Sequence, residues 1–165
     1  MTKYSNLKPL GAILQTAGLV SSAQIQVALI DRQYNQDLRV GEILAIRGWI
    51  EQQTADFFAE EWQLAIEQPN KYPLGYYLKK SGLLSEKQIN YILEEQKQLW
   101  VKFGAVAILQ GLLEKTTVDF FLNNLFPGAS LESPFINKKK SYQPTETADT
   151  TSETQTDLED ILWIG

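Results

Sequence analysis

One spacing of leucine and glycine, met four times between Leu10 and Gly111, restricts what this chain can fold into more than any other feature. The fullest copy reads PLGYYLKKSGLLSEKQINYILEEQ, from Pro73 to Gln96, on a skeleton of Leu74-Gly75, Leu78, Gly82, Ile89, Leu93 and Gln96. The same skeleton opens at Leu10-Gly11 with Leu14, Gly18, Ile25 and Leu29, at Val40-Gly41 with Leu44 and Gly48, and at Phe103-Gly104 with Gly111. A unit of roughly 25 residues cannot bury its own apolar face, so self-similarity of this kind means that small units are packed against one another.

The residues inside a copy specify the unit. In the first, Pro9 is suited to the first helical position, where its missing N–H would have had no partner, and Leu10, Ile13, Leu14 and Ala17 follow at helical spacing. Gly18 supplies the left-handed conformation that closes a helix, and Ser21 with Gln24 forms a capping box that starts the next. Ile25, Ala28 and Leu29 give that second helix its buried stripe. Each copy is therefore predicted to be a helix-turn-helix pair.

Copy three repeats copy one at a constant offset, Pro9 answering to Pro73 and Ser21/Gln24 to Ser85/Gln88. Copy four repeats copy two at an offset one residue shorter, with Thr54-Ala55-Asp56-Phe57-Phe58 aligned to Thr117-Val118-Asp119-Phe120-Phe121. The expected fold is all-α, about eight short helices in four helix-turn-helix repeats forming two pseudo-symmetric lobes, residues 1–67 and 68–128. Trp49, Phe57, Phe58 and Trp62 are expected in the core. Residues 129–156 are Ser/Thr/Glu-rich and too polar to offset their ordering entropy, which predicts a disordered acidic linker. The last stretch, 157–165, differs. It places Leu158, Ile161, Leu162 and Trp163 on one side of a short helix behind Asp157 as N-cap, a docking peptide whose partner is another protein, by preference, or else a second copy or the chain's own body.

Composition removes whole classes of function. With no cysteine and no histidine among 165 residues, the chain lacks disulfides, thiol nucleophiles, imidazole acid/base catalysis and the ligands of most zinc sites. Glu60-Glu61 and Glu94-Glu95 are neighbours in helices, so each pair diverges around the axis and reads as a solvated face. The expectation is that the chain is not an enzyme and needs no cofactor or metal. The net charge is −5, but six acids and no base fall after Lys140, so residues 1–140 carry +1. A nearly neutral body lacks the basic face of a DNA- or RNA-binding protein. No apolar run reaches the roughly 20 residues of a bilayer span, and the N-terminus has no apolar signal core, so a cytoplasmic location is expected.

The pattern Leu-Gly-x-x-Leu-x-x-x-Gly, followed by Ile89, Leu93 and Gln96 at seven, eleven and fourteen residues past the second glycine, resembles the MshEN domain. That domain stands at the N-terminus of type II secretion and type IV pilus assembly ATPases. The resemblance covers both lobes but not the ATPase, since no G-x-x-x-x-G-K-[ST] phosphate loop is present. It implies a helical module and, in some members, a cyclic di-GMP site. There leucines pack on the ligand, the Leu-Gly backbone approaches it, an Arg before Leu-Gly engages guanine and the closing Gln hydrogen-bonds it. Carried onto this chain, the implied ligand-binding set is Leu10, Gly11, Leu14, Arg39, Gly41, Leu74, Gly75, Leu78, Leu93, Gln96 and Lys102. No copy keeps both polar ends: the Arg position holds Pro9, Arg39, Pro73 and Lys102, and the Gln position Arg32, Trp62, Gln96 and Leu125. The leading expectation is thus a non-enzymatic protein-interaction or adaptor module of a motility, secretion or signalling system. A receptor for the second messenger cyclic di-GMP is the alternative.

Overall fold

The computed structural model describes residues 7–129, which form eight helices and no β-strand. In order these are α1 (Leu10–Thr16), α2 (Ser22–Tyr34), α3 (Val40–Ile46), α4 (52–67), α5 (Leu74–Lys80), α6 (Glu86–Leu99), α7 (Phe103–Leu109) and α8 (Lys115–Leu125). Helix α4 is interrupted by one π turn, Phe57–Glu61, between the α segments Gln52–Asp56 and Trp62–Glu67. No helix among the described residues is long and apolar enough to cross a membrane. The linker from residue 130 and the terminal peptide 157–165 lie outside the described residues.

The turns are built as the glycines require. Gly18, Gly48, Gly82 and Gly111 have φ between 69° and 74°. Each closes its helix in the same way: the Gly18 N–H bonds to Gln15 O and the Leu19 N–H to Leu14 O, both at 3.0 Å, and the other three turns repeat the pair. At Gly48 an added Cβ would meet nothing within 4 Å, so Gly48→Ala should cost only the backbone strain of a left-handed residue, about 1–2 kcal/mol by urea denaturation. At Gly18 the same methyl would also stand 3.2 Å from Thr116.

Both capping boxes form, with Ser21 N–H donating to Gln24 and Ser85 N–H to Gln88 at 2.8 Å. Pro9 and Pro73 occupy the N-cap rather than the first helical position, one residue earlier than expected. Arg39 and Lys102 hold the corresponding N-caps of α3 and α7. Leu29, expected in the buried stripe of α2, is 40% exposed. Helix α2 packs mainly on α3, so its stripe narrows to Ala28 and half-buried Ile25.

The halves share one core, and the contacts between them come in exchanged pairs. Thr54 Oγ1 of the first half donates to Ser81 O of the second at 2.7 Å, while Thr117 Oγ1 of the second donates to Ala17 O of the first at 2.8 Å. Thr54 and Thr117 are aligned residues, as are Ala17 and Ser81. Gly18 is covered by Thr116 and Gly82 by the aligned Gln53. The aromatic centre obeys the same exchange: Phe57 stacks on Phe121 at 6.5 Å, Phe58 meets Phe120 at 6.1 Å, and Phe58 and Phe121, themselves aligned, touch at 5.8 Å. This is the self-complementary geometry of an isologous dimer interface, here within one chain. Phe57, Phe58 and Trp62 are buried as expected, and Trp49 is half-buried beneath the Arg47 guanidinium, 5.1 Å from the ring centre.

Candidate functional site

The residues singled out by the MshEN resemblance do not converge on one open surface. Leu14, Leu74, Leu78 and Gln96 have no exposed area, and Gly41 and Gly75 are buried with them. The glycines serve helix packing: a Cβ on Gly41 would lie 3.1 Å from both Ala55 and Leu10, and one on Gly11 3.3 Å from Ile25. Arg39 is exposed, its N–H held at 2.6 Å by the Glu42 carboxylate. Lys102 and Leu93 are half-buried. Gln96 closes its copy structurally. Its Nε2 donates to Val101 O at 2.8 Å and its own carbonyl accepts from Trp100 N–H at 3.0 Å, which fixes Trp100 in the left-handed region at φ 54°. The Gln96 Oε1 is buried without a hydrogen-bond partner.

Among the described residues two surfaces stand open: a polar depression of about 680 Å³ lined by Gln53, Lys79, Lys80, Glu86 and Gln88, and a more enclosed, more apolar cleft of about 360 Å³ between α1, α4 and α8. Its floor is Phe58, Trp62 and Phe120, with Trp62 stacked on Phe120 at 5.0 Å. Leu10, Ile13 and Ile66 line the walls, with Lys8, Ala59, Gln63 and Asn124 along the rim. Of the eleven residues implied by the resemblance, only Leu10 reaches it.

The repeat supplies a control for this cleft. At the aligned positions lies its counterpart, in which Phe57, Glu61, Tyr77 and Lys80 stand where the open cleft has Phe120, Asn124, Ile13 and Thr16. The counterpart is reduced to about 130 Å³. Three tyrosines reduce it: Tyr72 and Tyr76 stack at 4.2 Å, and Tyr77 meets Tyr76 edge-on at 5.3 Å. A Lys80–Glu61 ion pair at 2.6 Å closes its rim. The Glu61 carboxylate holds the Lys80 ammonium above the ordinary lysine range, and Glu61 is thus a paired acid rather than part of a solvated face. In the open cleft the aligned positions carry Lys8, Ala12 and Ile13 in place of the tyrosines, and Asn124 and Thr16 in place of the ion pair. The aromatic filler and the charged clasp are both missing from one half only.

That difference was present in the aligned copies as Lys8/Ala12/Ile13 against Tyr72/Tyr76/Tyr77, a change of side-chain volume on an otherwise kept skeleton. Elsewhere, Asp31 and Arg47 form an exposed pair in which the guanidinium hydrogen bond lowers the Asp31 carboxyl below its ordinary range. Among the described residues no group of three or more acidic side chains could hold a metal ion.

No family profile and no solved structure matches the chain. It is 37% identical over 172 residues to a protein of Picosynechococcus sp. described as uncharacterized, and the match covers 94% of this chain and 92% of that one.

Proposed function

The chain belongs to one family with that Picosynechococcus protein, and from this premise we propose that it is a non-enzymatic interaction module, an adaptor whose docking face is the α1/α4/α8 cleft. One observation carries the reading: the same cleft exists twice, and only one of the two is filled by the chain's own aromatic side chains. A cleft over the buried rings of Phe58, Trp62 and Phe120, walled by Leu10, Ile13 and Ile66 and lacking the aromatic filler of its twin, suits an apolar or aromatic segment of a partner protein, in the manner of a helix in a groove. The absence of histidine and cysteine from the whole sequence supports a role without catalysis. The MshEN-like spacing favours a cytoplasmic secretion, pilus or signalling assembly as the setting.

Ala59 is exposed on the rim, so Ala59→Glu places a charge in the cleft without disturbing the core. In affinity purification from the native cell, this variant should lose at least one partner that the wild-type chain captures, while melting at the same temperature. Identical partners in both would remove the cleft from the account. The nucleotide reading makes the opposite demand. A ligand at 100 times its Kd would stabilise the fold by about 2.7 kcal/mol. With Gln96 engaged at Val101, saturating cyclic di-GMP should leave the melting temperature unchanged; a shift abolished by Arg39→Ala or Lys102→Ala would favour the receptor instead.

A further inference from the structure

We propose that the occupant of the open cleft, when no partner is bound, is the chain's own terminal peptide, residues 157–165, so that the module carries a built-in competitor for its docking face. The inference rests on the cleft being that face, and three observations lead from the cleft to this segment.

The first is chemical fit. The filled twin shows what the geometry accepts: large aromatic side chains seated against a phenylalanine floor. Leu158, Ile161, Leu162 and Trp163 form a concentrated apolar set beyond residue 140, the first three at the i, i+3, i+4 spacing of one helical face and Trp163 next to them in sequence.

The second is reach. Asn124 of α8 lies on the cleft rim, and the described chain ends only five residues later, at Ala129. The stretch from 130 to 156 extends to about 90 Å at most, from a limit of about 3.3–3.6 Å per residue, which is far more than the path back to the rim needs. A tether of this order gives its end an effective concentration in the millimolar range, so even a weak intrinsic affinity populates the intramolecular complex.

The third is charge. The peptide carries Asp157, Glu159 and Asp160, and the single charged residue on the described lining of the open cleft is a cation, Lys8. The twin offers no such cation, because its Lys80 is already paired with Glu61, which stands where the open cleft has Asn124. The half that lacks its filler is therefore also the half whose charge admits an acidic, apolar segment. A partner would have to displace this segment, and the apparent affinity of the cleft would be reduced by the fraction occupied.

The absence of native cysteine makes the test direct. In the full-length chain, Gln63→Cys on the rim is combined with Gly165→Cys at the end of the peptide. The control pairs Gly165→Cys with Asn90→Cys, an exposed position on α6, which forms no part of the cleft. Under mild oxidation at low micromolar protein, the first pair should form an intramolecular disulfide at least tenfold faster than the control. Leu162→Asp should reduce the two rates to one value. Equal rates at the outset, or a rim disulfide indifferent to Leu162→Asp, would overturn the proposal. A product that runs as a covalent dimer would also overturn it, assigning the cleft to a second copy instead. Fast coupling of Gln63→Cys to Tyr4→Cys that persists alongside a slow tail would assign it to the N-terminal segment. If the tail fails to couple while Ala59→Glu still loses a partner, the docking face stands and only its internal occupant falls.

Discussion

Phe121→Ala should cost about 3–5 kcal/mol, as truncation of a fully buried phenylalanine generally does. Against a total stability of about 5–15 kcal/mol for a domain, that is a large fraction, and the melting temperature should fall by about 10–25 °C. Phe121 has no exposed area and its ring meets Phe57, Phe58, Trp62 and Phe120. Three of those partners belong to the first half of the chain, so the cavity opens in the core of both halves at once. Urea unfolding of the variant should therefore remain a single transition with a lower midpoint. Tyr91→Ala, at a side chain 47% exposed, is the control and should change stability by no more than about 0.5 kcal/mol. A loss below about 1 kcal/mol at Phe121, or a second transition from a half that unfolds alone, would contradict a shared core.

Thr54→Val and Thr117→Val should each cost about 1–3 kcal/mol, because each leaves a buried carbonyl without its donor while preserving side-chain shape. The acceptors belong to Ser81 and Ala17, and neither residue has exposed area. The instructive result is the comparison of the two. If the halves are joined by exchanged contacts, the costs should agree to within about 1 kcal/mol, since the same bond is removed from the same place in the repeat. A large cost at one threonine and none at the other would mean that the exchange is geometrical only.

Much of this architecture was legible because it depends on neighbours in sequence. The Schellman turns at Gly18, Gly48, Gly82 and Gly111 and the boxes at Ser21 and Ser85 need only a few consecutive residues to specify them, and all formed where the spacing placed them. What was not legible is what depends on pairing between copies. The alignment put Thr54 opposite Thr117 without indicating that each reaches across to the other half's turn. The π turn at Phe57–Glu61 has no counterpart in α8, whose aligned segment is regular helix, and nothing in FFAEE announces it.

The candidate site was less legible still. The spacing of Leu74, Leu78 and Gln96 is equally that of a packing face, and the structure uses all three there. Gln96 illustrates the ambiguity: an amide that closes a repeat can hydrogen-bond a ligand or, as here, the next turn of backbone. The cleft was hidden for the reverse reason. Its floor residues Phe58 and Trp62 look like core, and they are core, with the opening created by what is small at Lys8, Ala12 and Ile13 rather than by any residue conspicuous in itself.

The exchange of contacts between halves also sets a timetable for the chain during its synthesis. Ala17 accepts its hydrogen bond from a threonine made 100 residues later, and Trp62 and Phe58 pack on rings that emerge after most of the fold. At about 5–20 residues per second, the ribosome takes roughly 5–20 s to deliver Thr117 after Ala17. From the synthesis of Trp62 until Phe120 and Phe121 arrive, the first two helix pairs present an aromatic face with nothing to close it. Apolar surface exposed in this way is aggregation-prone, and its protection is fixed by the arrival of Phe120 and Phe121 rather than by any event within the first half.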